Sequence, residues 1–122
     1  MIIHRLWWAC AWLGMLITLV VSLMPPPFNE GVAHGDKIVH LAGYGVLMFW
    51  WAQLILQRRG RLAIAVVLFG IAIEWLQGFT PNRQTDALDV LANSSGMLLG
   101  WLAAHLSPNL PQRLGALFAP RG

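Results

Sequence analysis

"IEWLQGFTPNRQTDALDVLANSSG", residues 73–96, holds Glu74, Asp86 and Asp89, three of the five acidic residues in the chain. It joins two apolar stretches, 62–79 and 87–106, each near the roughly 20 residues needed to cross about 30 Å of hydrocarbon. A carboxylate inside such a helix costs about 2.5–3.5 kcal/mol at the bilayer centre on insertion scales, and less toward the interface. Glu74 and Asp89 must therefore face protein or water, and the way they are housed decides how the helices pack.

The remaining sequence fits this reading. At 57% hydrophobic and 11% charged residues, with seven tryptophans among 122 residues, the composition lies outside the range of soluble domains. Four segments, 6–24, 38–56, 62–79 and 87–106, read as transmembrane helices, because lipid leaves backbone polar groups no partners except those within the helix. The separators "PPPFNEGVAHGDK", "QRRGR" and "TPNRQTD" carry breakers and charges. The first segment is as long as a full span, and "SLMPPP" lacks a small-x-small cleavage pattern, so a retained helix is expected rather than a signal peptide. The prolines of "HLSPNLP" end the last span. The expected fold is an all-α four-helix transmembrane bundle over residues 1–106, followed by a short cytoplasmic tail, 107–122, with a surface-lying amphipathic piece.

Basic residues set the orientation. Arg5, Arg58, Arg59, Arg61, Arg113 and Arg121 fall on one side, six in all, against two, Lys37 and Arg83, on the other. Both termini are thus expected in the cytoplasm. The basic residues form no stripe or run, which argues against nucleic acid as a partner. The single cysteine, Cys10, allows neither an intramolecular disulfide nor a thiolate metal site.

Helical periodicity gathers polar side chains at the outer end. Asp36, His40 and Tyr44 lie at i, i+4 and i+8 on one face of the second helix. Glu74 and Gln77 share a face near the end of the third, and Asp86, Asp89 and Asn93 follow at i, i+3 and i+7 in the fourth. For Glu74 the expected partners are His40, Lys37 and Arg83. Several of these residues also have plain structural readings. Asp86 with Asp89, and Asp36, suit helix N-caps, and Asn93, Ser94, Ser95, Gly96 and Gly100 suit close helix packing, within one chain or between copies in a homo-oligomer. Trp7, Trp8, Trp12 and Trp75 suit interfacial anchoring, whereas Trp50, Trp51 and Trp101 read as packing or lipid-facing residues. His34 reads as a loop residue, and His4 and His105 fall on the opposite side from the cluster. No H-E-x-x-H, G-x-S-x-G or phosphate-binding glycine loop occurs, so neither a metal nor another cofactor is expected.

"DKIVHLAGYGVL" followed by "IEWLQGFTPNRQTDALDVLANSSGMLLG" resembles the VanZ-like family of small membrane proteins over about residues 36–102. The matching positions are Asp36, Lys37 and His40, then Glu74 and Gln77, then Arg83, Asp86, Asp89, Asn93 and Gly96. The resemblance implies an envelope setting, in the inner membrane of a bacterium, and the namesake of the family is associated with resistance to the glycopeptide teicoplanin. The expectation is an outward-facing pocket formed by Asp36, Lys37, His40, Glu74, Gln77, Arg83, Asp86, Asp89 and Asn93. Its ligand would be an envelope amphiphile: a membrane lipid head group, a lipid-linked wall precursor or a glycopeptide. Two alternatives stay open, a membrane-embedded hydrolase or transferase with Glu74 or His40 as general base, and a proton-coupled transporter.

Overall fold

The computed structural model describes residues 2–24, 35–80 and 87–121, with side chains from Lys37 onward in the second helix. The described residues form an all-α structure of five helices: α1 (Ile2–Leu23), α2 (Gly35–Leu54), α3 (Arg59–Gln77), α4 (Ala87–Leu106) and α5 (Leu110–Leu117). At 22, 20, 19 and 20 residues, the first four are each about 28–33 Å long, the thickness of a hydrocarbon layer. α1, α3 and α4 are long and apolar enough to cross a membrane, so the chain is a multi-pass membrane protein. α2 has the same length but carries Lys37, His40, Tyr44 and Gln53. It tolerates them because it is the helix most enclosed by protein, touching α1, α3, α4 and α5.

Cross-helix pairs give the helix directions. Lys37 meets Asp89, Leu41 lies against Gly96, Gly45 against Gly100, and Gln53 meets Ser107, so α2 and α4 run parallel. Trp7 pairs with Trp50, and Ser22 with Gln77, so α1 runs against α2 and along α3. Successive long helices therefore alternate in direction. α4 keeps the expected 87–106, while the first three helices extend past the expected boundaries at their N-termini, α3 beginning at Arg59 rather than residue 62. The Arg59 guanidinium explains this: it donates to the carbonyls of Ala52 at 2.7 Å and Ile55 at 3.3 Å, closing the end of α2 from the first turn of α3.

Two glycines bring α2 and α4 together. A Cβ at Gly96 would stand 2.1 Å from the Leu41 carbonyl oxygen, and one at Gly100 would stand 2.2 Å from that of Gly45. No side chain fits at either place. Spaced four apart, they form a small-xxx-small face that lets backbones touch, which matters because hydrocarbon provides no hydrophobic drive for helix association. The face expected to serve either an internal or an intersubunit contact is occupied within the chain.

α1 is held at its two ends. Near one, the Trp7 and Trp50 indoles stack with centroids 3.9 Å apart, and each donates its Nε1–H to the other's backbone carbonyl, at 3.2 and 2.9 Å. Trp51 is buried beneath Trp8 and Trp12, which meet it edge-on, so most of the tryptophans expected as separate anchors form one cluster. Trp12 and Trp75 remain exposed, as interfacial anchors would be. Near the other end, Gln77 Nε2 donates to the Ser22 carbonyl at 2.8 Å.

Gln53, 1% exposed, fastens α5. Its Nε2 donates to the Ser107 carbonyl at 2.9 Å, and its Oε1 accepts from the Leu110 amide at 2.8 Å, across a turn in which Asn109 takes a left-handed φ of 56°. α5 then packs on α1 and leaves Leu117 and Phe118 exposed. Replacing Gln53 with Leu strips both partners from the turn and should destabilise the docked α5 by about 1–3 kcal/mol. Hydrogen exchange should rise in residues 110–117 and stay unchanged in α3. Gly96→Ala should cost about 3 kcal/mol or more through backbone displacement, whereas Gly60→Ala, where a Cβ meets open space, should be close to neutral; thermal unfolding in detergent compares the two.

Candidate functional site

Three helices carry polar side chains to one end of the molecule, opposite the arginines of the α2–α3 turn and α5. α2 contributes Lys37, His40 and Tyr44 at i, i+3 and i+7, a spacing that keeps them on one face over about 10 Å of helix. α4 contributes Asp89 and Asn93, one turn apart, and α3 contributes Glu74 and Gln77. Because α2 and α4 run parallel in glycine-set contact, their polar residues meet tier by tier.

In the outermost tier the Lys37 ammonium donates to Asp89 Oδ1. The second oxygen of that carboxylate, Oδ2, lies 3.9 Å from His40 Nε2. One turn deeper, His40 Nδ1 hydrogen-bonds Asn93 Oδ1 at 2.9 Å. The imidazole is therefore gripped at one nitrogen by an amide and faces a carboxylate at the other, an arrangement that fixes its ring plane. Lys37, His40 and Asp89 side chains retain 20%, 14% and 11% exposure, so this tier is partly open, while Asn93 at 3% is enclosed. Asp89 and Lys37 neutralise each other, as groups near a membrane interior must.

The third tier is closed. Tyr44 and Glu74 are each 3% exposed, and the carboxylate lies within electrostatic range of the phenol. Gly70 makes room here: a Cβ on it would come within 3.2 Å of both Asn93 Nδ2 and the Tyr44 ring. The Tyr44 hydroxyl has no hydrogen-bond partner among the described residues, a costly state for a buried polar group.

Lys37, His40, Asp89 and Asn93, all expected at the outer end, are thus brought into contact. Among the described residues, Lys37 and His40 meet Asp89, because the parallel register of α2 and α4 aligns residue 37 with 89 and residue 40 with 93; Arg83, the third partner expected for Glu74, lies outside them. Gln77 shares the Glu74 end of α3 but bonds α1 instead. The expected roles of Arg83 and Asp86 lie outside the described residues, as does the side chain of Asp36. His4 hydrogen-bonds Trp8, and His105 sits in the last turn of α4, both at the far end from the cluster. The sequence reading missed Gly45 and Gly70, which let the tiers form. It also missed Gln53, whose polarity inside an apolar helix was the available signal.

Chemically, the cluster can donate through Lys37, accept through Asp89, and do either through the His40 imidazole. Among the described residues no group of three histidine, cysteine or carboxylate side chains is placed to hold a metal ion.

No curated protein and no solved structure matches the chain. The VanZ/LLP1 family model matches residues 2–108, taking in α1 as well as the region 36–102 that carries the recognisable motifs. Matched across its four long helices, the chain belongs to the VanZ/LLP1 family.

Proposed function

We propose that the protein crosses the bacterial cytoplasmic membrane four times, with both termini in the cytoplasm, and binds the head group of an envelope amphiphile at its extracytoplasmic end. α2 counts as a span in this reading because α4 covers its polar face, and the excess of arginine at the opposite end supports the orientation. The observation that carries the binding reading is the joined, partly open cluster of Lys37, His40 and Asp89 over enclosed Asn93. The Lys37 and His40 side chains in it keep 20% and 14% exposure, so their nitrogens stay within reach of a head group.

The paired charges favour a head group that offers both signs or many hydrogen bonds. Lys37, with Arg83, meets a phosphate or carboxylate, and Asp89 accepts from an ammonium, amide or hydroxyl. A zwitterionic phospholipid, a lipid-linked wall precursor and a glycopeptide of the teicoplanin type all present this combination. The wall precursor and the glycopeptide are the finer alternatives within one chemical class.

In purified protein in nanodiscs, Lys37→Ala should weaken binding of phosphatidylethanolamine or teicoplanin by about tenfold or more, the loss of one charge-assisted hydrogen bond. His40→Ala should act in the same direction, with folding unchanged by circular dichroism. Wild-type affinity in both variants would remove the cluster from binding, and a product released from lipid extracts would favour the hydrolase reading. For orientation, a reporter fused at residue 30 should behave as extracytoplasmic and one at residue 59 as cytoplasmic; the inverse result would place the cluster on the inner face.

A further inference from the structure

The end of the molecule opposite the polar tiers is cationic. Arg5 of α1, Arg58 and Arg61 around the start of α3, Arg113 of α5 and Arg121 are all exposed. Arg59 is occupied by the carbonyls of Ala52 and Ile55. The acids among the described residues, Asp36, Glu74 and Asp89, all belong to the other end, so none of them neutralises these five guanidiniums.

The contacts at this end bring the arginines to a similar level. α5 starts where the Leu110 amide donates to Gln53 Oε1 in the last turn of α2. Arg58 follows that turn in the chain, and its carbonyl accepts from the Arg61 amide at 2.9 Å. Arg5 is one turn before Trp8, whose ring meets Trp51 edge-on. α5 carries an apolar edge beside its charge. Pro111 is buried and Leu114 half-buried, whereas Arg113 and Leu117, four apart, share an exposed face. Leu117 and its neighbour Phe118 are 78% and 76% exposed. An interfacial helix places such apolar side chains at the acyl boundary and keeps its cations among the head groups.

The neighbour of this surface is the membrane, because it lies where the long helices end. Orientation by charge requires only positive side chains. All six basic residues at this end are arginine, whose planar fork donates two parallel bonds to a phosphate. We propose that this end binds the head groups of anionic phospholipids in the leaflet it borders, with Arg58, Arg61 and Arg113 on the phosphates and Leu117 and Phe118 sunk beside the acyl chains. The proposal is independent of the head-group reading for the opposite end, where Lys37 is paired with Asp89.

The test uses the full-length protein in phosphatidylcholine nanodiscs containing spin-labelled phosphatidylglycerol or spin-labelled phosphatidylcholine, so that both leaflets hold the probe and orientation does not matter. The protein should favour phosphatidylglycerol about fivefold or more, the effect of a single basic residue near an anionic surface. The preference should shrink between about 0.01 M salt, where the Debye length is about 30 Å, and about 1 M, where it is about 3 Å. Exchanging Arg58, Arg61 and Arg113 together for Gln should bring the ratio near unity; if that variant does not fold, Arg61→Gln and Arg113→Gln should each lower it about twofold or more. A nitroxide on Phe118→Cys, in a Cys10→Ser background, should be reached by oxygen in preference to a water-soluble nickel chelate. Equal association of the two lipids, a preference that survives the arginine exchanges but is lost in Lys37→Ala, or a residue 118 label open to the chelate would overturn the proposal.

Discussion

The structure depends on backbone contact between α2 and α4 at Gly96 and Gly100. With the Leu41 and Gly45 carbonyls where a Cβ would otherwise sit, the two helices approach as closely as helices can, and their parallel register is locked. Lys37 then falls opposite Asp89 and His40 opposite Asn93 without further adjustment. In water, burial of apolar surface would help hold such a pair together. In hydrocarbon that drive is absent, and close van der Waals packing with interhelical hydrogen bonds must replace it. The glycine contact supplies the first and aligns the second.

The same contact explains how a helix carrying Lys37, His40, Tyr44 and Gln53 can lie among lipid-soluble neighbours. The described polar side chains of α2 are turned toward protein: Lys37 and His40 toward α4, Tyr44 toward α3, and Gln53 toward the α4–α5 turn. The apolar side chains of α1, α3 and α4 that stay exposed, such as Leu16, Ile64 and Leu98, would be a liability in water and are the natural surface in a bilayer. Removing one member of the Lys37–Asp89 pair would leave its partner charge poorly solvated, so the pair constrains both helices at once.

Membership of the VanZ/LLP1 family and the placement of the polar tiers bear on different questions. The family places the chain among membrane proteins of a known type. The tiers divide its motif residues by environment: Lys37 and His40 keep partial exposure, Asp89 beside them is nearly buried, and Tyr44 and Glu74 are buried.

Much was legible in the sequence. The number of long helices, the gathering of polar residues at one end, and the arginine-rich opposite end follow from segment length, helical period and charge, all local properties that lipid enforces strongly. Which side chains meet did not follow. Period places Lys37, His40, Glu74 and Asp89 at similar depths, but depth is one coordinate. Rotation and register between helices are the others, and they are decided by where backbones can touch. That is why Lys37 meets Asp89, why Gln77 turns to α1, and why Gly70 and Gly45 matter as much as the charged residues. The sequence by itself determined an all-α membrane protein with polar groups collected at one end, because hydrocarbon forbids unsatisfied backbone and lone charge. Only the tertiary structure decided the pairing, because a glycine reveals the closeness it permits only when the helix facing it is known.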